Sequence, residues 1–398
     1  MVAMLGRHGM LSAALIGLVS LAPATCVRGK ATQPPANAIA LALQPSVDAG
    51  QIAGAVGLVA TSDRILESAA VGVSNLATHR PMRADDIFWI ASMSKPVAGI
   101  ALGILRDRGA LNFDDPVSRF VPEFAAVRDA RGAPLTLREL MTHTGGLGEQ
   151  MHRPPHQTLA QTAAMAARTP LAYPVGARWS YSTLGIDVLG RVIEVAGKMP
   201  LDTFLEKEIF RPLGMKQTCF WLSPSELPRY ARSYRMGDDG TLQPAKIPYL
   251  YDTDPTDKQR PPLIGAGLFS TAGDIARLYQ MLLGRGAREG ARILQPETLA
   301  ELARNQTGDL VTRPGMSWGL TFSVVEDPGK LEGNVTLSPG TFGHGGAFGT
   351  ASWVDLKAGA VYVLMLQRAE LPNPDNSQMR IAFQTAAAGI VRASKRGQ

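Results

Sequence analysis

Apolar positions change their period along the chain, and the changes outline a fold. A helical repeat near Ala38–Asp48 gives way to apolar runs at Ile52–Ala60 and Ile65–Val73, which read as strands. Ile87–Ile90 is β-branched and aromatic, another strand signal, and Val97, Ile100, Ala101, Ile104 and Leu105 then recur at helical spacing. From about Arg106 to Asn305 the pattern is mostly helical. Its marks are a capping box at Thr136-x-x-Glu139, the alanine-rich Leu159–Ala167, and Thr271-x-x-Asp274 before Ile275–Leu283. Strands return after Ser317, and an amphipathic helix closes the chain near Ser377–Ala393. Strands at both ends with helices between predict an α+β fold: one antiparallel sheet built from both termini, flanked by helices, with an inserted helical region. Residues 38–105 and 306–398 would form the sheet region and residues 106–305 the helical one, within a single domain spanning 38–390.

The chemistry starts at Ser92-Met93-Ser94-Lys95. Pro96 is tolerated only in the first turn of a helix, so Ser92 falls at or beside a helix N-terminus. Residues three apart share a helix face, which brings the Lys95 amine to the Ser92 hydroxyl. A serine needs a base to become a nucleophile, and a buried lysine can be that base. The Ser92 N–H, free at the helix start, can face a developing oxyanion. Taken alone, the pair reads equally as an N-capping serine followed by an exposed lysine.

Two further segments bear on the choice. Trp179-Ser180-Tyr181-Ser182-Thr183-Leu184-Gly185 places a phenol on a loop before a strongly periodic helix (Ile186, Leu189, Ile193). Phe342-Gly343-His344-Gly345-Gly346-Ala347-Phe348-Gly349 is a glycine-rich entrance to a predicted hairpin, Ser352–Asp355 and Ala360–Leu366. Glycines let backbone N–H groups approach a ligand.

S-x-x-K, then a Tyr-x-Asn-like triplet, then a Lys/His-x-Gly-like strand resembles the motif order of class C β-lactamases. It equally resembles their relatives, the D-alanyl-D-alanine carboxypeptidases, D-aminopeptidases and β-lactamase-fold esterases. The resemblance covers about residues 38–390 and includes the framework segments Leu140–Leu147 and Ile209–Met215. It implies that Ser92 is acylated, that Lys95 and Tyr181 move protons, and that the Ser92 and Ala347 N–H groups form an oxyanion hole. His344, Gly345, Gly346 and Thr183 would contact the substrate. It implies no cofactor and no metal.

Two departures from that pattern guide the choice of substrate. Thr183 stands where the family has asparagine and lacks its amide. His344 stands where the family has lysine, replacing a fixed cation with an imidazole that is mostly neutral near pH 7. β-Lactams and peptidoglycan stems present a carboxylate there, whereas simple esters do not. The expectation is therefore a serine hydrolase of carboxylic esters or related acyl compounds. The alternatives are β-lactamase or D-alanyl-D-alanine carboxypeptidase activity, and a non-catalytic member that binds or assembles.

Other motifs fall away. Gly315-Met316-Ser317-Trp318-Gly319 matches a nucleophile elbow, but a turn precedes it and a strand pattern follows. His152 and His156 have ligand-like spacing broken by Pro154 and Pro155, and Gly265-Ala266-Gly267 lacks the third glycine of a dinucleotide loop. Hydrophobic content of 45% with 19% charged residues suits a soluble enzyme. The thinly spread net charge of +6 offers no nucleic-acid patch. Residues 1–24 read as a secretory leader: Arg7, an apolar run Leu11–Leu21, then Ala22-Pro23-Ala24. Residues 25–37 would be a flexible lead-in, and the mature protein periplasmic or extracellular. Export permits a disulfide between Cys26 and Cys219, but Cys26 would sit at the frayed start of the mature chain, and Thr25 argues against lipidation.

Overall fold

A computed structural model describes residues 37–148, 155–310, 312–331, 336–371 and 377–396. The leader, the lead-in before residue 37, Cys26 and His152 lie outside the described residues. The expected fold class is found. Eight strands form one antiparallel sheet: β1 (Gly54–Ala60), β2 (Ile65–Asn75), β3 (Arg80–Pro81), β4 (Met316–Trp318), β5 (Ser323–Val325), β6 (Phe342–Gly345), β7 (Ala351–Asp355) and β8 (Ala360–Leu366). Their order is β4-β5-β6-β7-β8-β1-β2-β3, so the first strand of the chain pairs with the last, Gly57 opposite Leu364.

β1 is buried along its whole length because helices cover both faces. On one face Ala55 and Val59 pack with Ile39 and Leu43 of α1 (Ala38–Asp48) and with Phe383 and Ala387 of the C-terminal helix Gln378–Arg396. On the other, Val56 and Leu58 meet the central core with Val97 and Ile100 of α2 (Lys95–Asp107). That core also holds Ile186 and Leu189 of α3 (Thr183–Gly197) and Ile275 and Leu278 of α4 (Ala272–Leu283). The C-terminal helix is α5 in this numbering. Cap chemistry sets several starts. Thr136 and Glu139 form the expected capping box, and Thr158 with Gln161 forms a second one.

Three local expectations change. Ile87–Ile90 is strand only at Phe88–Trp89, which pairs with Phe269–Ser270 outside the main sheet. The run after Trp318 turns back through Leu320 and Thr321 before β5 begins, with Thr321 at φ +72°. The glycine-rich segment expected to lead into a strand is itself β6, and a turn at Gly346–Gly349 joins it to β7.

Gly57 shows how tightly the termini close on the sheet. A β-carbon there would meet Ile39 Cγ2 at 2.4 Å and Phe383 Cε2 at 2.9 Å. We predict that Gly57→Val forces α1 and α5 off β1 and costs roughly 1–3 kcal/mol, as overpacking does. Urea unfolding measures this, and an unchanged midpoint would show that neither helix presses on the sheet.

Candidate active site

Ser92 lies in a single 3₁₀ turn, Ala91–Ser94, that runs directly into α2. Ala91 is held at φ +48°, a left-handed conformation uncommon for a residue with a side chain. The turn is fixed from inside and outside. Ser94 Oγ donates to Ala91 O (2.7 Å) and accepts from Leu268 N–H (3.2 Å), while Ile90 N–H donates to Leu268 O (3.0 Å). Ser92 itself is half-buried.

Lys95 is fully buried, and three oxygens surround its amine. Nζ is 3.0 Å from Ser92 Oγ, 3.3 Å from Thr183 Oγ1 and 2.7 Å from Gly265 O. It also stands 4.6 Å over the centroid of the Tyr181 ring. The residues expected from sequence to handle protons are thus brought together. Thr183 corrects an expectation: it lacks the family amide, yet its hydroxyl accepts a hydrogen bond from Lys95. Gly265 is not among the site residues expected from sequence, where it stands out only in a Gly-Ala-Gly run too short for a dinucleotide loop. Asp187, one helical turn beyond Thr183 on α3, anchors it by accepting from Gly265 N–H (2.8 Å) and from the Tyr249 hydroxyl (2.8 Å).

Within β6, the partners of β5 are Phe342 and Gly343, so the chain from His344 onward runs past the end of β5. Gly346 then meets the Ser92 turn, because a β-carbon there would be 2.7 Å from Ile90 O and 2.0 Å from Thr350 Oγ1. Thr350 Oγ1 donates to Ile90 O (3.2 Å), tying the two segments together. From α5, Arg380 Nη2 donates to the carbonyls of Gly349 (3.0 Å) and Thr350 (2.8 Å). Ala347 occupies the exposed corner of this turn. Beside it opens a cavity of about 640 Å³ lined by Arg235, Lys246, Pro248, Ala347, Phe348 and Glu370.

His344 is buried, and its Nδ1 lies 2.5 Å from Gly345 O. A carbonyl can only accept, so Nδ1 carries the hydrogen and Nε2 is a bare acceptor. Burial pushes the imidazole down from its ordinary 6.5 to about 3, and Lys95 adds to this when it carries its proton. The His344 ring completes an aromatic cluster. Its centroid is 6.1 Å from Tyr181 and 5.4 Å from Trp318, and His143 lies 4.6 Å from Tyr181 and 4.9 Å from Trp318. His143 and Trp318 were missed as site residues. Trp318 sits inside the nucleophile-elbow look-alike, whose own serine is buried in β4 and donates to Glu326 Oε1 (2.6 Å). His156 is exposed, and no group of three or more His, Cys, Asp or Glu placed to hold a metal occurs among the described residues. Burial pushes the Cys219 thiol up to about 12.

This arrangement defines a serine hydrolase fold of the S-x-x-K type. The β-lactamase family model matches residues 39–387, and the chain belongs to that family. It is 30% identical to esterase EstB of Burkholderia gladioli, over 80% of this chain and 87% of that one. A protein of Escherichia coli strain K12, provisionally named a D-alanyl-D-alanine carboxypeptidase, is 28% identical over 76% and 74% of the two chains. Among solved structures, EstCE1, described as a hydrolase with promiscuous acyltransferase activity, superposes with TM-score 0.76 at 26% identity, covering 88% of this chain and 98% of its own.

The buried histidines make stability depend on acid. His143 is also held well below 6.5, chiefly by burial. Below pH 6.5 the unfolded chain binds protons that the folded site refuses, so stability falls as pH drops toward 3. His344 alone should contribute on the order of 1 kcal/mol per pH unit across pH 6 to 4. Thermal melts of the wild type and His344→Gln over that range should show the steeper loss in the wild type. Parallel curves would refute the assignment.

Proposed function

We propose that this protein is a serine acyl hydrolase that cleaves carboxylic esters through an acyl-enzyme at Ser92. The observation that carries the ester preference is His344: at the third-motif position the chain presents a buried neutral imidazole in place of a cation. A neutral imidazole offers a substrate carboxylate no fixed cation of its own, whereas an uncharged ester needs none. The name of esterase EstB supports the ester substrate, and the description of EstCE1 as a hydrolase with acyltransferase activity supports acyl transfer.

The geometry suggests how the reaction runs. A neutral amine has two N–H bonds and one lone pair. With the hydrogens directed to Gly265 O and Thr183 Oγ1, the lone pair of Lys95 faces the Ser92 hydroxyl. Lys95 then takes the Ser92 proton as Oγ bonds to the ester carbonyl carbon. The carbonyl oxygen gains charge between the N–H groups of Ser92 and Ala347. As the tetrahedral intermediate collapses, the C–O bond to the alcohol breaks. Tyr181, beside Lys95, delivers a proton to the departing alkoxide. Water enters by the same relay in reverse and releases the acid. His344, Gly345, Gly346 and Thr183 line the acyl group. Residues 1–24 fit this reading as a leader for export to the periplasm or beyond.

A fluorophosphonate probe should label Ser92 and leave Ser92→Ala unlabelled, with ester turnover in that variant falling at least about 10³-fold. The wild type should hydrolyse a p-nitrophenyl ester in preference to a chromogenic cephalosporin. His344→Lys should shift that ratio toward the cephalosporin, which carries a carboxylate. A wild-type preference for the cephalosporin overturns the ester assignment. Failure of every acylating probe to label Ser92 favours a binding protein on this fold.

A further inference from the structure

We propose that His143 is the positioning residue that holds Tyr181 in place for proton transfer, an inference that rests on the role given to Tyr181 above. His143 belongs to the Leu140–Leu147 segment, which sequence reading treats as framework. Its backbone is at φ +59°, which turns the chain so that carbonyl and ring both face the Tyr181 loop. The His143 carbonyl accepts from Ser180 N–H (2.9 Å), and its Nδ1 accepts from Ser182 N–H (3.2 Å). These two bonds bracket Tyr181 on either side. The imidazole itself lies against the phenol ring, centroid to centroid 4.6 Å with a 41° tilt.

The clamp is built in from behind. Tyr173 donates its hydroxyl to Ser180 O (3.2 Å) and approaches His143 O (3.4 Å). Ser182 is in turn the N-cap of α3, its Oγ accepting from Gly185 N–H (3.1 Å), so the loop is pinned at its far end as well. Met141 O, two residues before His143, accepts from Thr321 N–H (3.0 Å), which fixes the segment to the hairpin that carries Trp318.

The clamp requires a neutral ring, since an imidazolium has no lone pair to accept from Ser182. Burial supplies that condition, with the charge of a protonated Lys95 acting in the same direction. Trp179 and Trp318 also pack against the ring, at 6.3 and 4.9 Å between centroids, and a charge on His344 would oppose its protonation as well.

The test uses two esters of one acid, an alkyl ester and a p-nitrophenyl ester, and reads kcat/KM, which reports acylation. An alkoxide needs a proton to depart and p-nitrophenolate does not, so misplacing Tyr181 should slow only the alkyl ester. Tyr181→Phe should lower alkyl-ester kcat/KM by about 10²-fold or more and the p-nitrophenyl value far less. His143→Leu should lower the alkyl-ester value by about 10–100-fold with a less than threefold effect on the other. His143→Asn tolerates a positive φ and keeps an acceptor oxygen, so it should restore most of the loss. The double variant His143→Leu/Tyr181→Phe should be no worse than Tyr181→Phe alone. If His143→Leu does not fold, His143→Gly, unstrained at that φ, takes its place. Equal losses on both esters, additive losses in the double variant, or wild-type turnover by His143→Leu would each overturn the positioning role. A Tyr181→Phe variant with undiminished alkyl-ester turnover would instead refute the role of Tyr181 itself.

Discussion

The constraint on which the site depends is the burial of one amine among three oxygens. Lys95 has no exposed surface, and its Nζ is met by a side chain from its own turn, a hydroxyl from α3 and a carbonyl from the loop before Phe269. Each partner comes from a different stretch of chain, so the amine reports whether three parts of the molecule have docked correctly. A buried polar group left unmatched costs about 1–3 kcal/mol, and more when charged. The same arrangement that satisfies Lys95 therefore also penalises misassembly of the cleft.

The fold meets this demand by layers of support. Trp89 donates its indole N–H to Ala266 O (2.6 Å) and Ile90 N–H binds Leu268 O, so one side-chain bond and one backbone bond align the Ser92 turn with the Gly265 loop. Asp187 then fixes Gly265 from α3, the helix that also supplies Thr183. On the opposite wall, Arg380 reaches from the last helix to the turn that carries Ala347. Burial lowers its guanidinium to about 9, a sign of how far from water it works. The C-terminal helix thus supports the reacting groups as well as closing the sheet.

Much of this was legible in the sequence, and the reasons are physical. A helical repeat marks α1, and apolar runs mark β1, β2 and β8, because one chain segment decides each of them. Thr136-x-x-Glu139 announced a helix start because both halves of a capping box lie within four residues. Ser92 and Lys95 were legible for the same reason, being one helical turn apart. What stayed hidden is non-local. Gly265 acts through a carbonyl that every residue owns, and Arg380 acts on a turn about thirty residues away. Thr183 was read by comparison with an amide it lacks, while its hydroxyl finds Lys95 at a distance that only the folded α3 sets.

The nucleophile-elbow look-alike shows why pattern and context must be weighed together. Gly315–Gly319 has the spacing of an activated serine, yet Ser317 is buried in β4 with Glu326 as its partner, and no helix follows to offer N–H groups. Ser92 has no flanking glycines, and Ala91 adopts the left-handed turn that a glycine would adopt freely. Such a conformation costs of order 1–3 kcal/mol and persists only where the surroundings over-determine it. Here they do: Ser94 grips Ala91 from below, Leu268 grips Ile90 and Ser94 from the side, and Thr350 grips Ile90 from the third-motif strand. A reactive turn is recognised by what holds it, and that support is spread over some 260 residues of sequence separation.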